Sequence, residues 1–183
     1  MKEPLFHFSE SPDIATFAPR PVAVPSRRPA GREWLNGPLV WAIDGPHQPL
    51  YLFPRECPRV LLWPTEATRP EDRAAWLGPG DARMIAHIEA DWLERFRRGR
   101  IYRYSLPGAP FEALDDAGMH VARTAVEPLA VEPLDDLPAA LAAAGVELRV
   151  LDDLARLRPA FASTLHASGI RLRNSRSWNA APN

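Results

Sequence analysis

The first clear pattern is at the start of the chain, where Leu5-Phe6-His7-Phe8-Ser9 alternates. Alternation of this kind predicts a strand with Phe6 and Phe8 on one face and His7 and Ser9 on the other. Apolar runs at 39–43 and 59–63 read as buried strands, and the first ends at the turn signal Asp44-Gly45-Pro46. A short helical turn is expected within 47–54. Ile85, Ile88, Trp92 and Phe96 are spaced by three and four residues, which predicts a helix over 82–98 with Asp81 as its cap and Gly99 as its stop. Strands are expected at 101–106, where Tyr102 and Tyr104 share a side, and near 119–122 and 125–132. An alanine-rich helix over 137–144 stops at Gly145, and 146–150 alternates again. The pattern then predicts a helix over 151–166 broken at Pro159, a closing strand at 170–173 and a frayed tail over 175–183. The expected core draws on Phe6, Phe8, Val40, Leu61, Ile85, Trp92, Tyr102 and Leu148.

Strands come in runs rather than in strict alternation with helices. That predicts an α+β fold with a twisted, mostly antiparallel sheet and a few packed helices, as a single domain over 1–174. The stretch 12–38 is loop-like, with six prolines and the Arg27-Arg28 pair. Across 183 residues the 21 prolines imply short strands joined by rigid loops. Lys2 is the only lysine among 22 basic residues, a bias that suits anion recognition and equally suits GC-rich codon usage. A net charge of −1 argues against a dedicated nucleic-acid binder. No apolar run is long enough for a membrane helix, and no basic-plus-apolar leader precedes Leu5, so a cytoplasmic protein is expected. Cys57 stands alone, which excludes an intramolecular disulfide and a multi-cysteine zinc site.

Candidate chemistry concentrates in two places. His7 and Ser9 share a strand face and suit the hydroxyl of a ligand, while backbone satisfaction of a half-buried histidine explains them as well. The segment 41–59 holds four prolines and the polar groups of Asp44, His47, Tyr51, Arg55, Glu56 and Cys57, the composition of a rigid site wall. Cys57 with His47 as its base is one reading of it, and a buried, inert cysteine is the other. A metal site built from His7, His47 and a carboxylate lacks ligand spacing, so no metal is expected. The arginines at 95, 97, 98, 100 and 103 suit phosphate or simply a helix C-terminus. Glu127 and Glu132 have opposite parity, so an unbroken strand would turn only one toward a given groove. No G-x-G-x-x-G and no Walker loop occurs.

The pieces FHFSESPDIATFAPR and VWAIDGPHQPLYLFPRECPRV, with RIYRYSL and the later VEPL, resemble a bacterial family of small proteins whose activity is uncharacterised. His7 followed by Ser9, an aromatic at Trp41 or Tyr51 and an acidic residue at Glu127 are also similar to the motifs of the ADP-ribosyltransferase-like superfamily. That resemblance implies NAD as substrate and no separate cofactor. His7 would hold the adenosine ribose and Tyr51 would stack on nicotinamide. Glu127 would stabilise charge on the ribose, and Arg20 or Arg55 would meet the pyrophosphate. The alternative is a non-catalytic ligand-binding or protein-interaction module on a similar scaffold.

Overall fold

The computed structural model describes residues 3–180. Its strands, in chain order, are β1 (Leu5–Ser9), β2 (Val40–Ile43), β3 (Arg59–Trp63), β4 (Met84–Glu89), β5 (Ile101–Leu106), β6 (Glu112–Ala113), β7 (Met119–Ala122), β8 (Ala130–Leu134), β9 (Val146–Leu151) and β10 (His166–Ile170). The α-helices are α1 (Pro70–Trp76), α2 (Leu93–Arg97) and α3 (Leu137–Ala143). The fold is α+β, as expected. Two compact units divide the chain, one of residues up to Gln48 with Ile101–Leu134, the other of Pro49–Arg100 with the residues from Asp135 onward. Among the described residues no helix is long and apolar enough to cross a membrane.

The first unit is an antiparallel sheet in the order β6-β7-β2-β1-β5-β8. β1 lies near its centre and pairs with β5 along its whole length, from Leu5 opposite Leu106 to Ser9 opposite Tyr102. The two faces alternate as expected, but the covered one is the opposite of the expected one. Leu5 and Ser9 are buried, and Leu5 packs with Val40, Ala42, Tyr104, Leu106 and Ala122. Phe6 and Phe8 are half-buried on the other face, where the Arg103 guanidinium stands 5.3 Å from the Phe6 ring. Alternation separates two faces without saying which is capped. Here the capping comes from the proline-rich stretch, which lays Phe17 and Ile14 over the His7 side. That stretch is ordered by backbone pairing of Phe17 with Val126 and of Arg20 with Leu39, and by the 3-10 turn Glu33–Asn36.

The second unit has the order β10-β3-β4-β9, antiparallel except for the parallel pair β4–β9. The helix expected over 82–98 is corrected here. Its first part is β4, and only α2 and the 3-10 turn Ala90–Trp92 before it are helical. All six β4 residues are buried between β3 and β9. A strand covered on both faces reads as a continuous apolar run, which periodicity cannot tell from a buried helix. Downstream, a 3-10 helix Leu154–Ala162 contains Pro159. The closing strand is β10, four residues earlier than the one expected at 170–173, and it pairs with β3. Val60, Leu62, Leu77, Ile85, Leu154 and Leu157 form the core of this unit, while Trp92 and Leu148 are half-buried.

Two buried polar groups on β4 tie this unit together. The Glu89 carboxylate is 2% exposed and accepts from Leu154 N (3.2 Å), Ser175 Oγ (2.6 Å) and Arg176 N (3.1 Å). Ser177 Oγ bonds Asp153, and the Arg158 guanidinium donates to the carbonyls of Ser177, Trp178 and Ala180. Residues 175–180 of the expected tail are therefore held by hydrogen bonds, and residues 181–183 lie outside the described residues. Removing the carboxylate strands its donors, so Glu89→Ala is expected to cost about 3 kcal/mol in urea unfolding and to open 175–180 to proteolysis.

His87 is buried and donates from Nδ1 to the Val60 carbonyl at 3.2 Å. Burial lowers its pKa from the ordinary 6.5 to about 4. The unfolded chain therefore takes up this proton first as pH falls. The stability that depends on a neutral His87 is complete above about pH 6.5 and is lost progressively down to about pH 4, by about 3 kcal/mol. Replacing His87 by Gln is expected to flatten that part of the stability–pH curve, measured by urea unfolding at stepped pH.

Candidate functional site

His7 donates from Nδ1 to the Trp41 carbonyl at 2.8 Å, which fixes its tautomer. Its ring lies 4.7 Å from that of Phe17, and Phe17 meets Tyr104 edge-on at 5.2 Å. The Tyr104 hydroxyl donates to the Ser11 carbonyl at 2.7 Å and accepts from Ile14 N at 3.1 Å. Ser9 Oγ accepts from Ser11 N at 3.1 Å. The start of the proline-rich stretch is thereby latched over the His7 face. Phe17 also exchanges backbone hydrogen bonds with Val126 at 2.8 and 2.9 Å. Glu127, the next residue, is exposed and precedes β8 rather than lying in a strand.

The other candidates are placed as follows. Trp41 projects from the face opposite His7, packed with Leu35, Leu39 and Val121. Its Nε1 is buried without a hydrogen-bond partner, and the Arg28 guanidinium lies 5.7 Å from its ring. Arg20 is exposed and bonds Leu39 through its main chain. Tyr51 and Arg55 belong to the second unit. There Tyr51 is half-buried with its ring 5.7 Å from the Arg59 guanidinium, and Arg55 is exposed. His7, Ser9 and the Glu127 segment are thus gathered by one loop, whereas Trp41 faces the other way.

A second polar cluster of the first unit includes residues that the sequence did not single out. Asp44 Oδ1 accepts from both the backbone N and the ring Nδ1 of His47, each at 2.8 Å. The Gly118 carbonyl accepts from Asp44 N at 3.0 Å and from His120 Nδ1 at 2.9 Å. Gly118 sits at φ +71°, and a Cβ there would come within 2.4 Å of His47 Nδ1 and 2.5 Å of Asp44. Only glycine fits the position. Asp44 and His120 line a cavity of about 400 Å3, with Glu3 as a further polar wall and Leu5 and Phe111 as apolar ones. Carboxylates and an imidazole beside apolar surface suit a ligand carrying hydroxyls and a ring. The hairpin turn Asp115-Asp116-Ala117-Gly118 was the available signal for Gly118. For His120 there was none, since its role depends on the register of β7 against β2, where it stands opposite Ala42.

Several chemistry-bearing side chains are already engaged. Among the described residues no group of three or more His, Cys, Asp or Glu is placed to hold a metal ion. Arg97 and Arg98 pair with Glu94, Arg100 with Asp135 and Arg103 with Glu132, while Arg95 stacks on Trp92 at 4.3 Å. Cys57 is fully buried and donates its S–H toward the Pro58 carbonyl at 3.6 Å. Burial pushes its thiol up to about 12. Native protein is therefore expected to resist iodoacetamide at pH 8 and to react once unfolded in urea. Rapid alkylation of the native form would contradict this.

No curated protein and no solved structure matches the chain. A family model does, over residues 6–175, and by that match the chain belongs to the family of unknown function DUF6886.

Proposed function

We propose that the protein binds a nucleotide-like ligand in its first unit, at the edge of the Phe17 clasp where His7 is half-buried, and acts on NAD as an ADP-ribosyltransferase-like enzyme. The observation that carries this reading is the Phe17 clasp, whose ring packs on His7 and whose backbone pairs with Val126 beside Glu127. One residue thereby ties a histidine to a carboxylate more than a hundred positions away, since 127 − 7 is 120. In this reading His7, its tautomer set by the Trp41 carbonyl, orients a ribose hydroxyl, and Ser9 shares its face. Glu127 offsets the positive charge that develops as the nicotinamide–ribose bond breaks. Arg20, exposed on the same unit, is the cation offered to phosphate.

A second reading, a non-catalytic ligand-binding module, is favoured by the exposure of Glu127. A carboxylate in water stabilises charge far less than one in a dry site. Calorimetry with NAD, together with chromatography of released nicotinamide, separates the two. The enzyme reading expects binding and release, with Glu127→Gln keeping the binding and cutting turnover by about 100-fold. Binding without release, indifferent to Glu127→Gln, supports the module. Absence of NAD binding removes the nucleotide from both.

A further inference from the structure

In the second unit, the turn after β10 folds back onto the proline-pinned loop around Arg55 and Glu56. Arg173 donates to Glu56 Oε2 at 2.9 Å. Asn174 Nδ2 reaches the same oxygen at 2.9 Å and the Glu56 carbonyl at 2.7 Å. Arg171 Nε donates to the Arg55 carbonyl at 3.2 Å and stands 3.4 Å from Glu56 Oε1. Two guanidinium groups, those of Arg171 and Arg173, thus meet one carboxylate, which leaves one positive charge in excess. The Asn174 hydrogen bond and the charges of Arg171, Arg173 and Arg55 hold the Glu56 carboxyl below its ordinary range. The buried guanidinium of Arg59 adds further charge of the same sign.

Arg171 carries a second peculiarity. Its φ is +56°, in the left-handed region where glycine is at ease and a side chain is uncommon. An exposed ion pair to Glu56 is a weak reason to keep a strained arginine there. A guanidinium that has to meet a ligand is a stronger reason, and backbone strain concentrates at such places. Guanidinium forks match phosphate oxygens as well as carboxylate oxygens, and phosphate brings more charge and more acceptors.

We propose that Arg171 and Arg173, with Asn174 as a neutral donor, form a phosphate-binding site that the Glu56 carboxylate occupies until a phosphate displaces it. The inference goes beyond the nucleotide reading: it rests on the second unit alone and is tested apart from NAD.

The test is calorimetry of the full chain with inorganic pyrophosphate, repeated with sulfate at equal ionic strength. Circular dichroism and thermal melting confirm the fold of each variant. The expected result is saturable pyrophosphate binding that sulfate does not reproduce. Arg173→Gln should weaken it by about tenfold. Glu56→Gln should strengthen it, because glutamine keeps an acceptor for Asn174 and removes the competing charge. Arg171→Gly should weaken it while leaving the melting temperature unchanged or higher, since glycine relaxes the left-handed backbone. Absent or sulfate-equivalent binding overturns the proposal, as does binding unaffected by Arg171→Gly or weakened by Glu56→Gln. Pyrophosphate binding without NAD binding keeps this site and removes the nucleotide reading. NAD binding with no pyrophosphate binding does the reverse.

Discussion

A guanidinium buried among carbonyls and rings organises the proline-rich loop of the second unit. Arg59, at the start of β3, is 3% exposed. It donates from Nε to the Leu50 carbonyl at 2.7 Å and from Nη1 to the Cys57 carbonyl at 2.9 Å. Its charge faces the Phe53 ring at 5.2 Å and the Tyr51 ring at 5.7 Å. Burial lowers its pKa to about 10, so it remains protonated at neutral pH. A charge taken out of water is costly unless its donors are met, and the loop is folded so that its carbonyls meet them. Tyr51, Arg55, Glu56 and Cys57 take their places from that arrangement. Cys57 is sealed in, while Arg55 and Glu56 are left at the surface, where the turn at 171–174 reaches them.

The first unit solves a related problem with a clasp. Its sheet would leave the His7 face in water, and the proline-rich stretch covers it through Phe17, anchored by Tyr104 and Val126. Proline suits this task because a chain of low conformational entropy loses less on being laid across a sheet. The left-handed turn at Gly118 then presses against Asp44 and His47, and its carbonyl collects donors from Asp44 and His120. Strain and polar contacts thus meet beside a cavity wall where carboxylate and imidazole stand together.

Much of the strand pattern was legible in the chain. The α+β class and the elements at 5–9, 59–63, 101–106, 119–122, 137–143 and 146–151 follow from alternation, apolar runs and turn residues. Each rests on local preference, which the tertiary structure left alone. The candidate site was legible only in part. His7 and the 41–59 segment stand out by composition, but His120 and the 171–174 turn gain meaning only through partners distant in the chain.

What the sequence determined by itself was the set of faces; what the tertiary structure decided was which of them are covered. Period-two alternation in β1 separates Phe6 and Phe8 from His7 and Ser9 whatever else the chain does. That the histidine side is the covered one depends on Phe17 pairing with Val126, a contact between segments about a hundred residues apart by count (126 − 17 = 109). In β4 the same limit appears as a reversal from helix to strand. Met84 to Glu89 carry spacings that satisfy a helical face, and burial between β3 and β9 on both sides overrides them. Local pattern records how a segment can bury its apolar atoms. Which neighbour buries them is set by contacts that no window along the chain contains.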